Sequence, residues 1–164
     1  MALKRDNFDQ AAQLIDAQAR SGALAAAVLH VECGGDTWTR AFGAARTLDA
    51  VFLLASITKP MTAAAVMILA DRGALLLDDP VARHIPEFRG GERQRVLIRH
   101  LLTHTSGLPD MLPENEELRR RHAPLKDFVA ATYRTPLLFS PGTKVQYQSM
   151  GILLAAEIVE RIAK

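Results

Sequence analysis

The sequence predicts an α+β fold that combines one antiparallel hairpin with a largely helical chain. Apolar residues recur at helical spacing over 8–22 and over much of 56–164, whereas 24–43 holds two strand-length segments around a glycine pair. Aromatic residues make up only 5% of the 164 residues, which favours helical packing over a β-sandwich. We expect residues 1–164 to belong to a single domain with one substantial core.

Composition and charge argue against several classes of function. The formal net charge of +2 is too small to indicate a nucleic-acid partner. The compact basic cluster at 119–121 follows three glutamates, so we interpret it as a solvated helix surface. A single cysteine, Cys33, permits neither an internal disulfide nor a thiolate metal cluster. The histidines lack the spacing of metal ligands, so we expect no metal and no cofactor.

The N-terminal residues predict a cytoplasmic protein. They are polar and charged, without the apolar stretch of a secretory signal. The longest apolar run, 23–31, is too short to cross a bilayer and contains His30. We therefore expect no membrane partner. The oligomeric state stays open.

The predicted elements follow in chain order. A first helix occupies 8–22, with Gly22 as its stop, and a hairpin over 24–43 turns at Gly34 and Gly35. Residues 61–71 are apolar on nearly every face, so that helix should be surrounded by protein. Later signals are a helix-ending Gly73, a turn at 78–80, short helices within 95–103 and 113–134, a turn at 140–143, and a helical stripe from 152 to 162.

Ser56 and Lys59 form the first candidate for chemistry. A serine hydroxyl needs a neighbouring base, and a lysine three residues later on a helix lies on the same face. Pro60 is tolerated only in a first helical turn, so the helix should begin near Ser56, where the dipole favours a developing oxyanion. Proline also biases Lys59 away from helical dihedrals, so local strain is expected. Such a pair also fits a serine N-cap beside an exposed lysine. The apolar helix behind it, which would partly desolvate the lysine, favours the chemical interpretation.

Five segments in order resemble the serine β-lactamase and penicillin-binding-protein superfamily, in its class C β-lactamase-like branch of esterases and D-amino-acid peptidases. The segments are FLLASITKPMTA at 52–63, GALLLDDPV at 73–81, LLTHTSGL at 101–108, SPGT at 140–143 and YQS at 147–149. The resemblance as a whole covers essentially the entire chain from residue 8 onward. The resemblance implies a β-lactamase/transpeptidase-like fold, with an antiparallel sheet flanked by helices. It covers the N-terminal portion only, because the family's later Lys-Thr-Gly or His-x-Gly strand is not found. The last helical stripe also runs to Lys164 without a cap, so we expect a truncated, incomplete domain that is a poor catalyst alone.

The same resemblance implies roles for four residues. Ser56 would be the acylated nucleophile, Lys59 would share or relay its proton, and Tyr147 would be the candidate general base. Ser149 would contact Lys59 and bind substrate. Lysine and tyrosine have ordinary pKa values of about 10.4 and about 10, so either must be lowered to act near neutrality. We therefore assign the role of base to the Lys59–Tyr147 pair and not to one of its members.

A Ser-His mechanism through His104 and Ser106 is rejected. A separation of two residues gives poor geometry for a catalytic triad. We interpret His104 as a loop histidine whose hydrogen bonds are satisfied within the loop. The G-x-S-x-G pattern of α/β-hydrolases is absent around every serine.

The predicted function is hydrolysis of a small-molecule ester, amide or lactam through an acyl-enzyme. Esterase-like or carboxypeptidase-like activity is favoured over antibiotic resistance, because no secretory signal is present. An acyltransferase on the same scaffold and a non-catalytic ligand-binding or regulatory module remain as alternatives.

Overall fold

The computed structural model describes residues 5–45 and 47–164. It divides into two compact units, Met1–Leu53 and Leu54–Lys164. Each unit has a hydrophobic core of its own.

The first unit consists of one helix and one hairpin. Helix α1 spans Arg5–Arg20, and strands β1 (Ala26–Cys33) and β2 (Asp36–Gly43) pair antiparallel, with Ala26 opposite Gly43 and Cys33 opposite Asp36. The predicted helix and hairpin are confirmed, although the helix begins earlier than 8–22 suggested. Ala12, Trp38 and Phe42 form the buried centre of this unit.

The second unit is helical, as predicted. It contains α2 (Thr58–Asp71), α3 (Val81–His84), α4 (Ile98–Leu102), α5 (Asn115–Arg120), α6 (Leu125–Thr132) and α7 (Met150–Ala163). Helices α2, α4 and α6 pack against α7. Leu154, Ala155 and Ile158 of α7 are fully buried at the centre of the core, which also holds Val66 of α2 and Leu101 of α4. Burial of each large apolar side chain contributes about 1.5–3 kcal/mol.

The prediction that protein surrounds the apolar helix was wrong for the described chain. Within α2, Val66 is the one fully buried residue, while Met61, Met67 and Ile68 are each about half exposed. Helix α7 covers the Val66 side of α2. An apolar composition indicates that a helix needs to be buried. The described chain buries only one side of α2.

A buried carboxylate orders the turn that follows α2. Asp79 accepts hydrogen bonds from the Leu76 N–H (2.9 Å), from Arg83 (2.6 Å) and from His84 (3.1 Å). The Leu76 N–H is the main cause that holds the pKa of Asp79 below its ordinary value, although burial opposes it. This turn leads directly into α3.

Within the described residues, none of the helices combines the length and the apolar character needed to cross a membrane.

Candidate active site

Ser56 lies at the entrance to α2, directly after a strained residue. Ala55 has a left-handed backbone (φ +46°), and the 3₁₀ turn Ala55–Ile57 leads into α2 at Thr58. Pro60 falls in the first turn of the helix, as predicted. Lys59 is helical although Pro60 follows it, which is the conformation that proline disfavours, and Ala55 adds a second strained position. A left-handed alanine costs of order 1–2 kcal/mol, and it orients the start of the helix.

Three of the predicted side chains meet at this point. Ser56 Oγ lies 2.7 Å from Tyr147 Oη, and Lys59 Nζ donates to Ser56 Oγ at 3.3 Å. The Lys59 ammonium also lies 4.8 Å from the centroid of the Tyr147 ring. Because Lys59 donates to Ser56, the hydroxyl proton of Ser56 is free to point at Tyr147. The geometry thus allows proton transfer from the serine to the phenol oxygen.

The charges around Tyr147 lower its pKa. The interaction with the Lys59 side chain is the main cause, and the hydrogen bond with Ser56 adds to it. The nearby Asp110 carboxylate acts in the opposite direction, because a negative charge disfavours the phenolate. Tyr147 is 51% exposed, so water screens all of these effects.

The loop 103–108 holds the segment that carries Tyr147. Three backbone hydrogen bonds join the two: Leu138 N–H to the Gly107 carbonyl (2.7 Å), Gly142 N–H to the Thr105 carbonyl (2.8 Å), and Gln146 N–H to the His104 carbonyl (2.9 Å). Backbone hydrogen bonds therefore join the run LLTHTSGL to the segment around the SPGT turn, although the two are distant in sequence.

Gly107 is required for this pairing. Its φ is +84°, and a Cβ at this position would lie 2.2 Å from the Phe139 carbonyl oxygen. Any side chain would therefore push the segment with Tyr147 away from the loop.

Gln148 anchors the residue after Tyr147. It is fully buried, and its Oε1 accepts a hydrogen bond from the Gly151 N–H at 2.7 Å in the first turn of α7. A Cβ on Gly151 would lie 2.4 Å from Gln148 Nε2, so glycine leaves the space that this side chain fills. Tyr147 is thereby fixed at the N-terminal end of a core helix.

Ser149 does not join the cluster as the resemblance implied. Its hydroxyl donates to Asp110 Oδ1 at 2.8 Å rather than to Lys59. Asp110 was missed by sequence reasoning, although its place two residues after the LLTHTSGL run was a usable signal. The structure therefore groups Ser56, Lys59 and Tyr147, with Ser149 paired to Asp110 beside them.

His104 and Ser106 make no pair. Ser106 is fully buried, and its Oγ accepts a hydrogen bond from the Leu108 N–H. His104 instead packs against the Tyr147 ring, with 4.8 Å between ring centroids. Sequence reasoning left it as a loop histidine and missed this contact.

Within residues 5–45 and 47–164, no group of three or more histidine, cysteine or acidic side chains could hold a metal ion. The chemistry that the described cluster can support is that of a hydroxyl, a phenol and an ammonium.

Comparisons with known proteins show which family this chain resembles. A family model described as Beta-lactamase matches residues 11–164. Esterase EstB of Burkholderia gladioli is 40% identical over 128 residues, which cover 69% of this chain and 32% of the esterase. A D-stereospecific amidohydrolase from Streptomyces sp. superposes with a TM-score of 0.74 at 29% identity, covering 92% of this chain and 48% of that structure.

A class C β-lactamase shares the fold, with a TM-score of 0.75 at 22% identity over 95% of this chain and 44% of the other. The chain thus spans less than half the length of these relatives. Its fold is the β-lactamase/transpeptidase-like α+β fold, of which it contains the N-terminal hairpin and the helical region. Because the family match extends from residue 11 to the last residue and includes the serine, lysine and tyrosine described above, this chain belongs to the β-lactamase family of hydrolases.

Proposed function

We propose that this chain carries the acylation machinery of a serine hydrolase, with Ser56 as nucleophile and an ester of a small molecule as substrate. The observation that carries the proposal is the 2.7 Å contact between Ser56 Oγ and Tyr147 Oη, with Lys59 Nζ 3.3 Å from the same serine oxygen. The first distance lies within the range of about 2.6–3.2 Å that proton transfer requires, and the second is slightly longer, as is common before substrate binds.

The proposed reaction has two halves. Ser56 Oγ attacks the carbonyl carbon while its proton passes to the Lys59–Tyr147 pair. The ester C–O bond then breaks, and the pair returns the proton to the departing alkoxide, leaving the acyl group on Ser56. In the second half, water attacks the acyl carbon and gives its proton to the same pair. The bond between the acyl carbon and Ser56 Oγ then breaks, the pair returns the proton to Ser56 Oγ, and the acid is released. The lowered pKa of Tyr147 supports its share in the role of base.

The position of Ser56 supports stabilisation of the oxyanion. It lies at the N-terminal end of a 14-residue helix, where backbone N–H groups and the helix dipole favour negative charge. The strained Ala55 immediately before it supports a functional role for this turn.

The choice of an ester rests on the relative with the highest identity reported above, which is named an esterase. Amide and lactam substrates are the alternatives that the amidohydrolase and β-lactamase names suggest. The chain spans less than half of the solved relatives. We therefore also propose that residues 1–164 form an incomplete domain, in which turnover is slow even where acylation occurs.

A fluorophosphonate probe, which phosphonylates activated serines, tests the assignment. We expect mass spectrometry to locate one adduct on Ser56 and Ser56→Ala to abolish it. Ser140→Ala, which changes an exposed serine outside the cluster, is the matched control and should label normally. Equal labelling of Ser56→Ala, or an unlabelled wild type, would refute the proposal.

The substrate class requires a second experiment. Acyl adducts on Ser56 are compared after exposure to a p-nitrophenyl ester, a D-amino-acid p-nitroanilide and a chromogenic cephalosporin. We expect the ester to acylate fastest. Thermal stabilisation by a ligand without any adduct would favour the non-catalytic alternative, and transfer of the acyl group to an added alcohol would favour an acyltransferase.

A further inference from the structure

His104 contacts Tyr147 and both of its sequence neighbours. Its ring packs against the Tyr147 ring in a tilted arrangement, with 4.8 Å between centroids and 36° between planes, and its Nδ1 accepts a hydrogen bond from the Gln148 N–H at 3.3 Å. Its carbonyl oxygen accepts from the Gln146 N–H at 2.9 Å. One histidine therefore contacts the tyrosine ring and holds the residues on both sides of it.

The backbone of His104 is strained where these contacts form. Its φ is +59°, one of three left-handed non-glycine residues in the part of the chain that the structure describes. This conformation is costly for a side chain with a Cβ and persists only when surrounding contacts impose it. Here it turns the ring and the carbonyl toward the same short segment.

The hydrogen bonds also show how His104 acts. Because Nδ1 accepts from the Gln148 N–H, a neutral ring carries its proton on Nε2. The basic nitrogen is occupied by a backbone donor, so it is not available to take a proton from Ser56. Any influence of His104 on Ser56 must therefore pass through the placement of Tyr147.

We propose that His104 is a positioning residue that holds the Tyr147 hydroxyl within hydrogen-bond distance of Ser56, by packing against the ring and fixing the backbone on both sides. The inference rests on the proposed function, which gives Tyr147 a share in proton transfer. Loss of the histidine should let the tyrosine ring rotate and the backbone shift. A displacement of about 1 Å at a reacting group can cost about 10²-fold in rate.

Three variants separate this role from general stability. His104→Ala removes ring and acceptor. His104→Asn also removes the ring but retains an acceptor, and asparagine tolerates the left-handed backbone. His122→Ala is the matched control, because His122 is also left-handed (φ +52°) but is exposed and follows α5 rather than lying in the loop 103–108.

Two measurements are made on each variant of the 164-residue chain: the rate of fluorophosphonate labelling and the ultraviolet titration of tyrosinate. The chain has two tyrosines. Burial raises the pKa of Tyr133, whereas the pKa of Tyr147 is lowered, chiefly by Lys59, so the first tyrosinate to form belongs to Tyr147. Tyr147→Phe confirms that assignment by removing the first step.

We expect His104→Ala to label about 10–100-fold more slowly and its first tyrosinate step to move to higher pH, because the contacts with Lys59 and Ser56 loosen. His104→Asn should lie between this variant and wild type, and His122→Ala should match wild type. Wild-type labelling and titration in His104→Ala would overturn the proposal. If His104→Ala does not fold by circular dichroism, wild-type values in His104→Asn overturn it instead. An unlabelled wild type would refute the proposed function, yet the tyrosinate shift would still decide the role of His104.

Discussion

Replacement of Tyr147 by phenylalanine tests the proton-transfer arrangement most directly. The change deletes the one oxygen that lies 2.7 Å from Ser56 Oγ and leaves the aromatic ring in place. A positioned general base contributes about 10²–10⁴-fold to a rate. Lys59 Nζ still lies 3.3 Å from the serine oxygen and, in its uncharged form, can accept the proton, so we expect a loss near the lower limit, about 10²-fold.

The assay is the rate at which Ser56 is acylated by a p-nitrophenyl ester, followed by the release of p-nitrophenolate in single-turnover conditions. Acylation isolates the first half of the reaction, so slow turnover does not obscure the result. The midpoint of urea unfolding is measured in parallel. Tyr147 is 51% exposed, so loss of its hydroxyl should leave that midpoint nearly unchanged.

Tyr133→Phe is the matched control for this prediction. The Tyr133 hydroxyl donates to Glu157 (3.3 Å) and accepts from Arg161 (3.0 Å), a charged network on α7 that does not include Ser56. Loss of hydrogen bonds to charged partners should cost about 1.5–3 kcal/mol of stability, without slowing acylation. The reasoning is refuted if Tyr147→Phe acylates as fast as wild type, or if Tyr133→Phe slows acylation equally.

Three further predictions follow from the contacts of single residues. Lys59→Met should raise the pKa of Tyr147, because it removes the main cause that lowers it; tyrosinate absorbance measures the shift, and a fall would contradict the cause. The folded-state pKa of Asp79 is lowered, chiefly by a backbone N–H, so its stabilising contribution is present above the unfolded value of about 3.8 and is lost as pH falls through the folded value. Asp79→Asn should therefore weaken the acid dependence of unfolding, and an unchanged profile would exclude this carboxylate as its source. Gly107→Ala should destabilise the chain by more than the about 1–2 kcal/mol of a left-handed alanine, because its Cβ meets a backbone oxygen at 2.2 Å; Gly73→Ala, with φ +71° and open space, should show the backbone cost alone in urea unfolding.

The local part of the site could be predicted from sequence because helix geometry fixes it. Ser56 and Lys59 are three residues apart, and Pro60 restricts where the helix can begin, so their proximity needs no tertiary information. Tyr147 is different. It lies 91 residues from Ser56, and only the resemblance to a family singled it out.

The contacts that hold Tyr147 in place could not be predicted from residue spacing. His104 and Gln148 are 44 residues apart, and their hydrogen bond depends on a left-handed histidine that no propensity predicts. Lys59 is helical despite the bias that Pro60 imposes on it, whereas the left-handed backbone of Ala55 was not predicted. Local rules therefore gave the elements and their order, whereas the positions of the polar atoms depend on long-range packing.

At this site the hydrogen-bond distances favour proton transfer, whereas exposure to water opposes it. The Ser56–Tyr147 distance lies within the range that proton transfer requires, and the Lys59–Ser56 distance lies just beyond it. Yet Ser56 and Tyr147 are exposed in the described chain, and water both competes for their hydrogen bonds and screens the Lys59 charge. Preorganised groups are most effective where water is excluded. We infer that residues 54–164 are sufficient to orient the nucleophile and its base, and that the rate of turnover depends on what covers the exposed side of the site.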